Sequence, residues 1–415
     1  MPSRLGRILR PGRRGNSSSL PRRLGRDSER ACVTVAPLSS QASASSSRKI
    51  ICCDMSDGND RPEVSLPRSR RDFFESVERH LGANQELLES TGKISSHQLK
   101  VFWLEVNPKY SPSPLRAEGW HALEPGFFLR QDPAVGSHNH LWIDTSHERI
   151  WYVYTFGKRD EVEAIIRRDL LSQRGVDQVW LAERFLESIQ RRMGYTDRGF
   201  RFSFRGALYR DKGQEDIPSF SGKFWLGNEV SPEQREFLQS AERTFSKSSL
   251  RMGRLTQRPE SNGTGVLMEI YARGHMTVTT SEDTDEVLGL INQIGTSYSH
   301  ELKELETRRS KFPRPVEYKF GMKVDRERFR AQVESGVGPT KLWMQKYSEE
   351  DGLDRYTGVD LHTNDIVNLD LAESYGYLVG EREGCMNAAP RIMTLSAEFL
   401  SGKTDMYYEG AQLFA

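Results

Sequence analysis

The chain has 415 residues, and its 59 basic and 58 acidic side chains nearly balance one another. No apolar run is long enough for a transmembrane helix or for the core of a signal peptide, which argues against membrane insertion and secretion. The sequence also lacks a Gly-rich phosphate loop, a dinucleotide fingerprint and the short motifs of common hydrolases. It therefore does not decide whether the protein is an enzyme.

The first 54 residues differ in composition from the rest of the chain. They contain 11 Lys or Arg, 11 Ser and three acidic residues, together with Cys32, Cys52 and Cys53. Residues 55–415 consequently have a net charge of −7 and one thiol, that of Cys385. The leader, 1–54, is typical of an organelle-targeting peptide, of an extension upstream of a true start at Met55, or of a disordered basic arm.

The same composition indicates the cellular compartment of the protein. A body with one thiol forms no internal disulfide, so we expect a soluble protein in a reducing compartment. That compartment is the cytoplasm, or an organelle matrix if the leader is a genuine transit peptide.

Hydrophobic periodicity predicts the elements of the body in chain order. The first half begins with a helix at 71–91, continues as four strands, and ends with two helices before Gly194. The predicted strands span residues 99–106, 126–129, 141–143 and 150–156. We assign residues 55–198 to a first α+β domain.

A second α+β domain is predicted for residues 199–312. Strands at 200–205 and 220–226 precede a helix with a capping box at Ser231, and three further strands lead into a long helix from Asp283. The remaining part, 313–415, alternates again and is predicted to be β-rich. Because few strands alternate with single helices, the fold class is α+β with mainly antiparallel sheets and packed helices.

Two stretches of the body share an order of elements. Residues 149–166 and 274–291 are both predicted as a strand that runs into a helix, each preceded by another strand and a tight turn. Two interpretations stay open. The chain contains a duplicated hairpin–helix unit, or the similarity reflects general physics, since acidic residues favour the first turn of any helix.

A divalent-metal site is one functional hypothesis. His138 and His140 are two residues apart, so on a strand both imidazoles lie on one face, and Asp144 follows as a candidate third ligand. The competing interpretation is a set of surface or structural histidines at a junction between loop and strand. If a metal binds here, the protein is a metal-dependent enzyme that acts on phosphodiester or related bonds.

Two other candidate groups are weaker. Asp360, Asp365 and Asp370 recur at intervals of five, but without a calcium-loop pattern they are interpreted as solvent-exposed acids. Cys385 as a nucleophile needs a nearby histidine, and the sequence does not indicate one.

Basic residues on predicted strands suggest a nucleic-acid interface. We expect the arginines of the middle block to form a basic sheet face suited to backbone phosphates. These residues are Arg201, Arg205, Arg210, Arg251 and Arg254. Our first hypothesis is therefore a non-catalytic interaction protein that presents a sheet face to a protein or nucleic-acid partner; the metal-dependent enzyme is the alternative. The oligomeric state is not predicted.

Overall fold

The structure is a computed structural model of the chain. It describes residues 66–93, 95, 97–131, 140–204, 220–225, 232–233, 236–237, 240, 247–255, 264–321, 323–336, 341–399 and 404–414. Residues Asn59–Ala415 form one compact unit. The leader, 1–54, and most of the helix predicted to begin at Ser231 lie outside the described residues.

Eleven strands of the described residues form the first sheet. In chain order they are β1 Leu99–Val106, β2 Trp120–Glu124, β3 Phe127–Arg130, β4 Leu141–Asp144, β5 Ile150–Thr155, β6 Val176–Gln178, β7 Thr196–Phe204, β8 Phe220–Trp225, β9 Lys247–Leu255, β10 Thr264–Tyr271 and β11 His275–Ser281. Their spatial order is β2-β3-β4-β5-β1-β11-β10-β9-β7-β8, and β6 also pairs with β1. The strands that pair run antiparallel.

Four helices of the described residues pack against this sheet. They are α1 Arg70–Thr91, α2 Arg159–Asp169, α3 Glu183–Met193 and α4 Thr284–Lys311. The apolar side of α2 covers one face of the sheet, whereas α1, α3 and α4 contribute to the core on the other face. Helix α4 begins directly after Asp283, as predicted. The Asp283 side chain caps the helix by accepting a hydrogen bond from the backbone N–H of Glu286 at 3.1 Å.

A second sheet follows α4. Its seven described strands are β12 Val316–Phe320, β13 Leu342–Glu350, β14 Leu353–Asp360, β15 Asp365–Leu371, β16 Tyr375–Gly380, β17 Thr404–Tyr408 and β18 Ala411–Leu413, in the spatial order β13-β14-β15-β16-β12-β17-β18. Helices α5 Arg326–Glu334 and α6 Ala388–Phe399 complete this part. The prediction of an α+β fold with antiparallel sheets and a strand-rich C-terminal part is confirmed.

One apolar core extends from the first sheet to the second. Helix α4 runs through it: Trp103 on β1 donates its indole N–H to the carbonyl of Ile291 at 3.1 Å, and Leu302 and Leu305 are fully buried. The predicted boundary at 198/199 falls within the first sheet, in which β1 is hydrogen-bonded to both β5 and β11. Strands from both predicted domains therefore belong to the same sheet.

The two predicted hairpin–helix units lie on either side of β1. Strands β5 and β11 both run antiparallel to β1, with their hairpin partners β4 and β10 outside them. Helix α2 covers one face of the sheet and α4 the other. The two units therefore lie on opposite sides of β1, each with its helix on a different face of the sheet.

Candidate functional site

Charged and polar side chains, most of them buried, lie where the two sheets meet, and we call this group the buried polar cluster. Some members belong to β1, to β6, to α4 and to the residue before β5. The others belong to the residue before β13, to the β14–β15 turn and the strand ends beside it, and to α6 and the segment before it. They are Glu105, Arg149, Asp177, Tyr298, Glu306, Lys341, Asp360, His362, Asp365, Cys385, Asn387 and Arg391. Buried charges are costly unless they are paired, so the contacts between these residues decide what the cluster can do.

Arg391 of α6 joins the two sheets. Its Nε donates to Asp177 Oδ2 of β6 at 3.0 Å, and its Nη1 donates to Asp360 Oδ1 of β14 at 2.9 Å. Lys341 Nζ lies 3.6 Å from Asp177 Oδ1. Burial alone would raise the pKa of Asp177, but Arg391 and Lys341 together hold it below its usual value. At Lys341 burial outweighs the attraction of Asp177 and lowers the pKa.

Asn387 links this ion-pair group to α4. Its Nδ2 donates to Asp177 Oδ2 at 2.8 Å, and its Oδ1 accepts from the Tyr298 hydroxyl at 2.6 Å. The Tyr298 oxygen in turn accepts from the backbone N–H of Trp180 at 3.4 Å. Burial raises the pKa of Tyr298 well above its usual value, so the phenol stays a neutral donor.

Arg149 joins two carboxylates from different elements. Its Nε donates to Glu105 Oε1 of β1 at 2.7 Å, and its two terminal nitrogens donate to the Glu306 carboxylate of α4 at 2.9 and 2.7 Å. Glu306 also accepts from the backbone N–H of Met386 at 3.0 Å. This bidentate pairing fixes the orientation of the guanidinium.

Cys385 lies directly beside this group. Its Sγ is 3.6 Å from Glu105 Oε1 and 3.4 Å from Arg149 Nη2, and its backbone N–H donates to Asp365 Oδ2 at 3.0 Å. Burial, and then the charge of Glu105, raises the pKa of the thiol well above its usual value. The cysteine is therefore a neutral thiol unless another positive charge reaches it.

His362 completes the group from the turn between β14 and β15. Its Nε2 lies 3.2 Å from Glu105 Oε2, in an orientation that makes no hydrogen bond. Both ring nitrogens of His362 and the Oε2 atom of Glu105 are buried without a hydrogen-bond partner. Among the described residues, Glu105, His362 and Cys385 form the group whose atoms are suited to hold a metal.

A second feature is the solvent-facing side of the second sheet, which we call the outer face. Its exposed large side chains are Trp343, Tyr347, Ile366, Tyr375 and Val379. Trp343 lies opposite Val359, which lies opposite Ile366, so these side chains form a continuous row across three strands. Groups of exposed apolar side chains are characteristic of binding surfaces.

Residues 68–412 match a protein family described as MJECL33-like protein. The chain belongs to this family. No curated protein and no solved structure matches the chain. None of the described helices is long and apolar enough to cross a membrane.

Of the three predicted metal ligands, the structure describes His140 and Asp144. His138 lies outside the described residues. Asp144 lies at the end of β4 and is paired with Arg70 at 3.0 Å, and its Oδ1 accepts from the Ser146 hydroxyl. His140 directly precedes the same strand and lies four residues before Asp144.

The predicted basic residues are only partly described. Arg205 and Arg210 lie outside the described residues. Arg201 is on β7, and Arg251 and Arg254 are on β9, which pairs directly with β7. The Arg201 guanidinium lies 3.1 Å from the carboxylate of Glu269, so part of its charge is balanced within the sheet.

Two interpretations of the C-terminal part need correction. Asp360 and Asp365, expected to be solvent-exposed, are buried. Each accepts a hydrogen bond within the buried polar cluster, which offsets the loss of solvent. Cys385 does have a histidine near it, His362, which the sequence did not indicate.

Glu105 is not among the predicted site residues, although the sequence contains a signal for it. Glu105 continues the alternation of Leu99, Val101 and Trp103 on β1, so its side chain belongs to the face that enters the core. A carboxylate on a core face requires a buried partner. Its neighbour Cys385 is 280 positions away, which no local pattern reveals.

Proposed function

We propose that this protein binds a partner protein through the outer face of its second sheet and acts by interaction rather than by catalysis. The observation that carries the proposal is the exposure of aromatic and branched side chains there, with Tyr347 60% and Ile366 53% exposed. Tryptophan and tyrosine supply much of the binding energy at protein interfaces. A sheet face offers these side chains on a rigid scaffold.

The charges on the outer face favour a protein partner over a nucleic acid. Glu317 and Asp370 accompany Lys319 and Arg355 on the solvent-facing positions of the central strands, so these formal charges cancel. Nucleic acids bind to surfaces with a clear excess of positive charge. The pairing of Arg201 with Glu269 in the first sheet also argues against a nucleic-acid partner, because the carboxylate balances part of the positive charge there.

The proposal extends to where the protein acts. We place it in the cytoplasm, since the body has one thiol and is rich in charged residues. An organelle matrix is the alternative if residues 1–54 serve as a transit peptide.

Site-specific photo-crosslinking in cells tests the proposal. A photoreactive amino acid is placed at Tyr375 or Ile366, and at Leu115 as a control, because Leu115 is also exposed but lies in a turn of the first half of the chain. We expect one protein adduct of the same mass from positions 375 and 366 and none from 115. The protein, once identified, is purified and titrated against this chain.

In that titration, Ile366→Asp should weaken binding at least ~10-fold, whereas Leu115→Asp should leave it unchanged. Equal effects of the two substitutions would overturn the proposal. So would adducts that consist of nucleic acid or of a second copy of this chain, because the outer face would then have a different occupant.

A further inference from the structure

Three side chains with metal-binding atoms meet in the buried polar cluster, independently of the outer face. One ligand atom each from Glu105, His362 and Cys385 can be chosen so that all lie within 4.8 Å of one another. The closest pairs are separated by 3.2 Å, from His362 Nε2 to Glu105 Oε2, and by 3.6 Å, from Cys385 Sγ to Glu105 Oε1. The ligand atoms of a tetrahedral zinc site, with bonds of about 2.0–2.3 Å, are roughly 3.3–3.7 Å apart.

Two of these side chains also have buried atoms without a partner. His362 and Glu105 are at most 1% exposed, yet both ring nitrogens of His362 and one carboxylate oxygen of Glu105 make no hydrogen bond. A buried polar atom that makes no hydrogen bond destabilises the folded protein, so such atoms are rare in stable proteins. A cation bound between them would give Glu105 Oε2 and one ring nitrogen of His362 a partner.

The formal charges around the site leave room for that cation. The carboxylates are Glu105, Asp177, Glu306, Asp360 and Asp365, and the neighbouring cations are Arg149, Arg309, Lys341 and Arg391. Counted without His362 and Cys385, these groups leave one negative charge in excess. A divalent ion bound to a thiolate would bring the total to zero.

We propose that Glu105, His362 and Cys385 bind a zinc ion. Zinc accepts oxygen, nitrogen and sulfur ligands together, whereas magnesium and calcium require oxygen ligands. On binding, the Cys385 thiol loses its proton to solvent and the thiolate sulfur forms the bond to the metal. A water molecule or the second oxygen of Glu105 takes the fourth position.

The neighbouring residues would hold the ligands in place. Arg149 donates to both Cys385 and Glu105, and Asp365 accepts from the backbone N–H of Cys385. Such outer contacts orient metal ligands. Because the site is buried and joins β1 to the β14–β15 turn and to the segment before α6, the ion stabilises the junction of the two sheets.

Metal binding is tested on the full chain carrying Cys32→Ser, Cys52→Ser and Cys53→Ser, so that Cys385 is its sole thiol. The protein is stripped with a chelator and titrated with Zn²⁺ alone, and with Co²⁺, whose bond to a thiolate produces an ultraviolet charge-transfer band. We expect one metal ion per chain, the thiolate band, and a Tm raised by roughly 5 °C or more at saturating Zn²⁺.

His362→Gln and Cys385→Ser should each weaken Zn²⁺ binding at least ~10-fold. The matched control is His275→Gln, because His275 is also buried but lies on β11 and outside the group. A folded parent protein that takes up no metal, with a Tm that neither Zn²⁺ nor chelator changes, would overturn the proposal. Binding that His362→Gln and His275→Gln weaken equally would also overturn it.

Discussion

Arg391 and Asp177 form an ion pair in which both side chains are almost completely excluded from solvent. Asp177 belongs to β6 of the first sheet, and Arg391 belongs to α6, which packs on the second. The guanidinium also donates to Asp360 at 2.9 Å, so one side chain connects three elements across the junction. The position of α6 relative to β6 therefore depends on this contact.

Arg391→Met should lower the free energy of unfolding by about 3–5 kcal/mol, because it leaves Asp177 and Asp360 buried without the guanidinium. Arg184 provides a matched control, since it pairs with Asp405 while remaining 44% exposed. Arg184→Met should cost about 0–1 kcal/mol. Urea denaturation measures both losses, and comparable values would show that burial does not govern the strength of these pairs.

Two glycines of α4 should respond oppositely to alanine. A Cβ atom at Gly295 would lie 2.5 Å from the Tyr152 hydroxyl and 3.0 Å from its ring, whereas one at Gly289 would meet nothing within 4 Å. Gly289→Ala should stabilise the protein by about 0.5–1 kcal/mol through helix propensity. Gly295→Ala should destabilise it by about 1–3 kcal/mol, because α4 must move away from β5.

Thermal unfolding in parallel tests this pair of substitutions. If Gly295→Ala stabilised the protein as Gly289→Ala does, the close approach of α4 to Tyr152 would be refuted.

Lys100 should make stability depend on pH. Burial lowers its pKa from 10.5 to about 8. Between pH 8 and 10 the folded protein therefore binds fewer protons than the unfolded chain, so this lysine makes stability rise with pH in that window and the gain is lost as pH falls through 8. The difference amounts to up to about 3 kcal/mol.

Lys100→Met should raise stability at pH 7 and remove the increase between pH 8 and 10. Lys93→Met, at an exposed position, serves as the control and should change neither. The free energy of unfolding, measured from pH 7 to 10, tests this prediction. If it rose with pH as steeply in Lys100→Met as in the parent protein, Lys100 would not be buried as the structure places it.

The local elements were accessible from sequence because each depends on residues close together in the chain. The long helix predicted from Asp283 corresponds to α4, whose apolar stripe from Val287 to Leu305 is fully buried. The alternation of Val316 and Tyr318 likewise corresponds to a strand with one buried side. Helix α6 was not predicted, because its small and apolar residues, with Pro390 inside the first turn, lack a clear two-sided pattern.

The fold class, the antiparallel strands and the difference between residues 1–54 and the body follow from the amino-acid sequence, since periodicity and composition are local properties. Which charges become partners depends instead on how the distant parts of the chain pack against one another. Glu105 and Cys385 are 280 positions apart, and Asp177 and Arg391 are 214 apart. Their contacts exist because α4 packs both sheets into one core, which buries each charge beside groups that the chain order keeps far away.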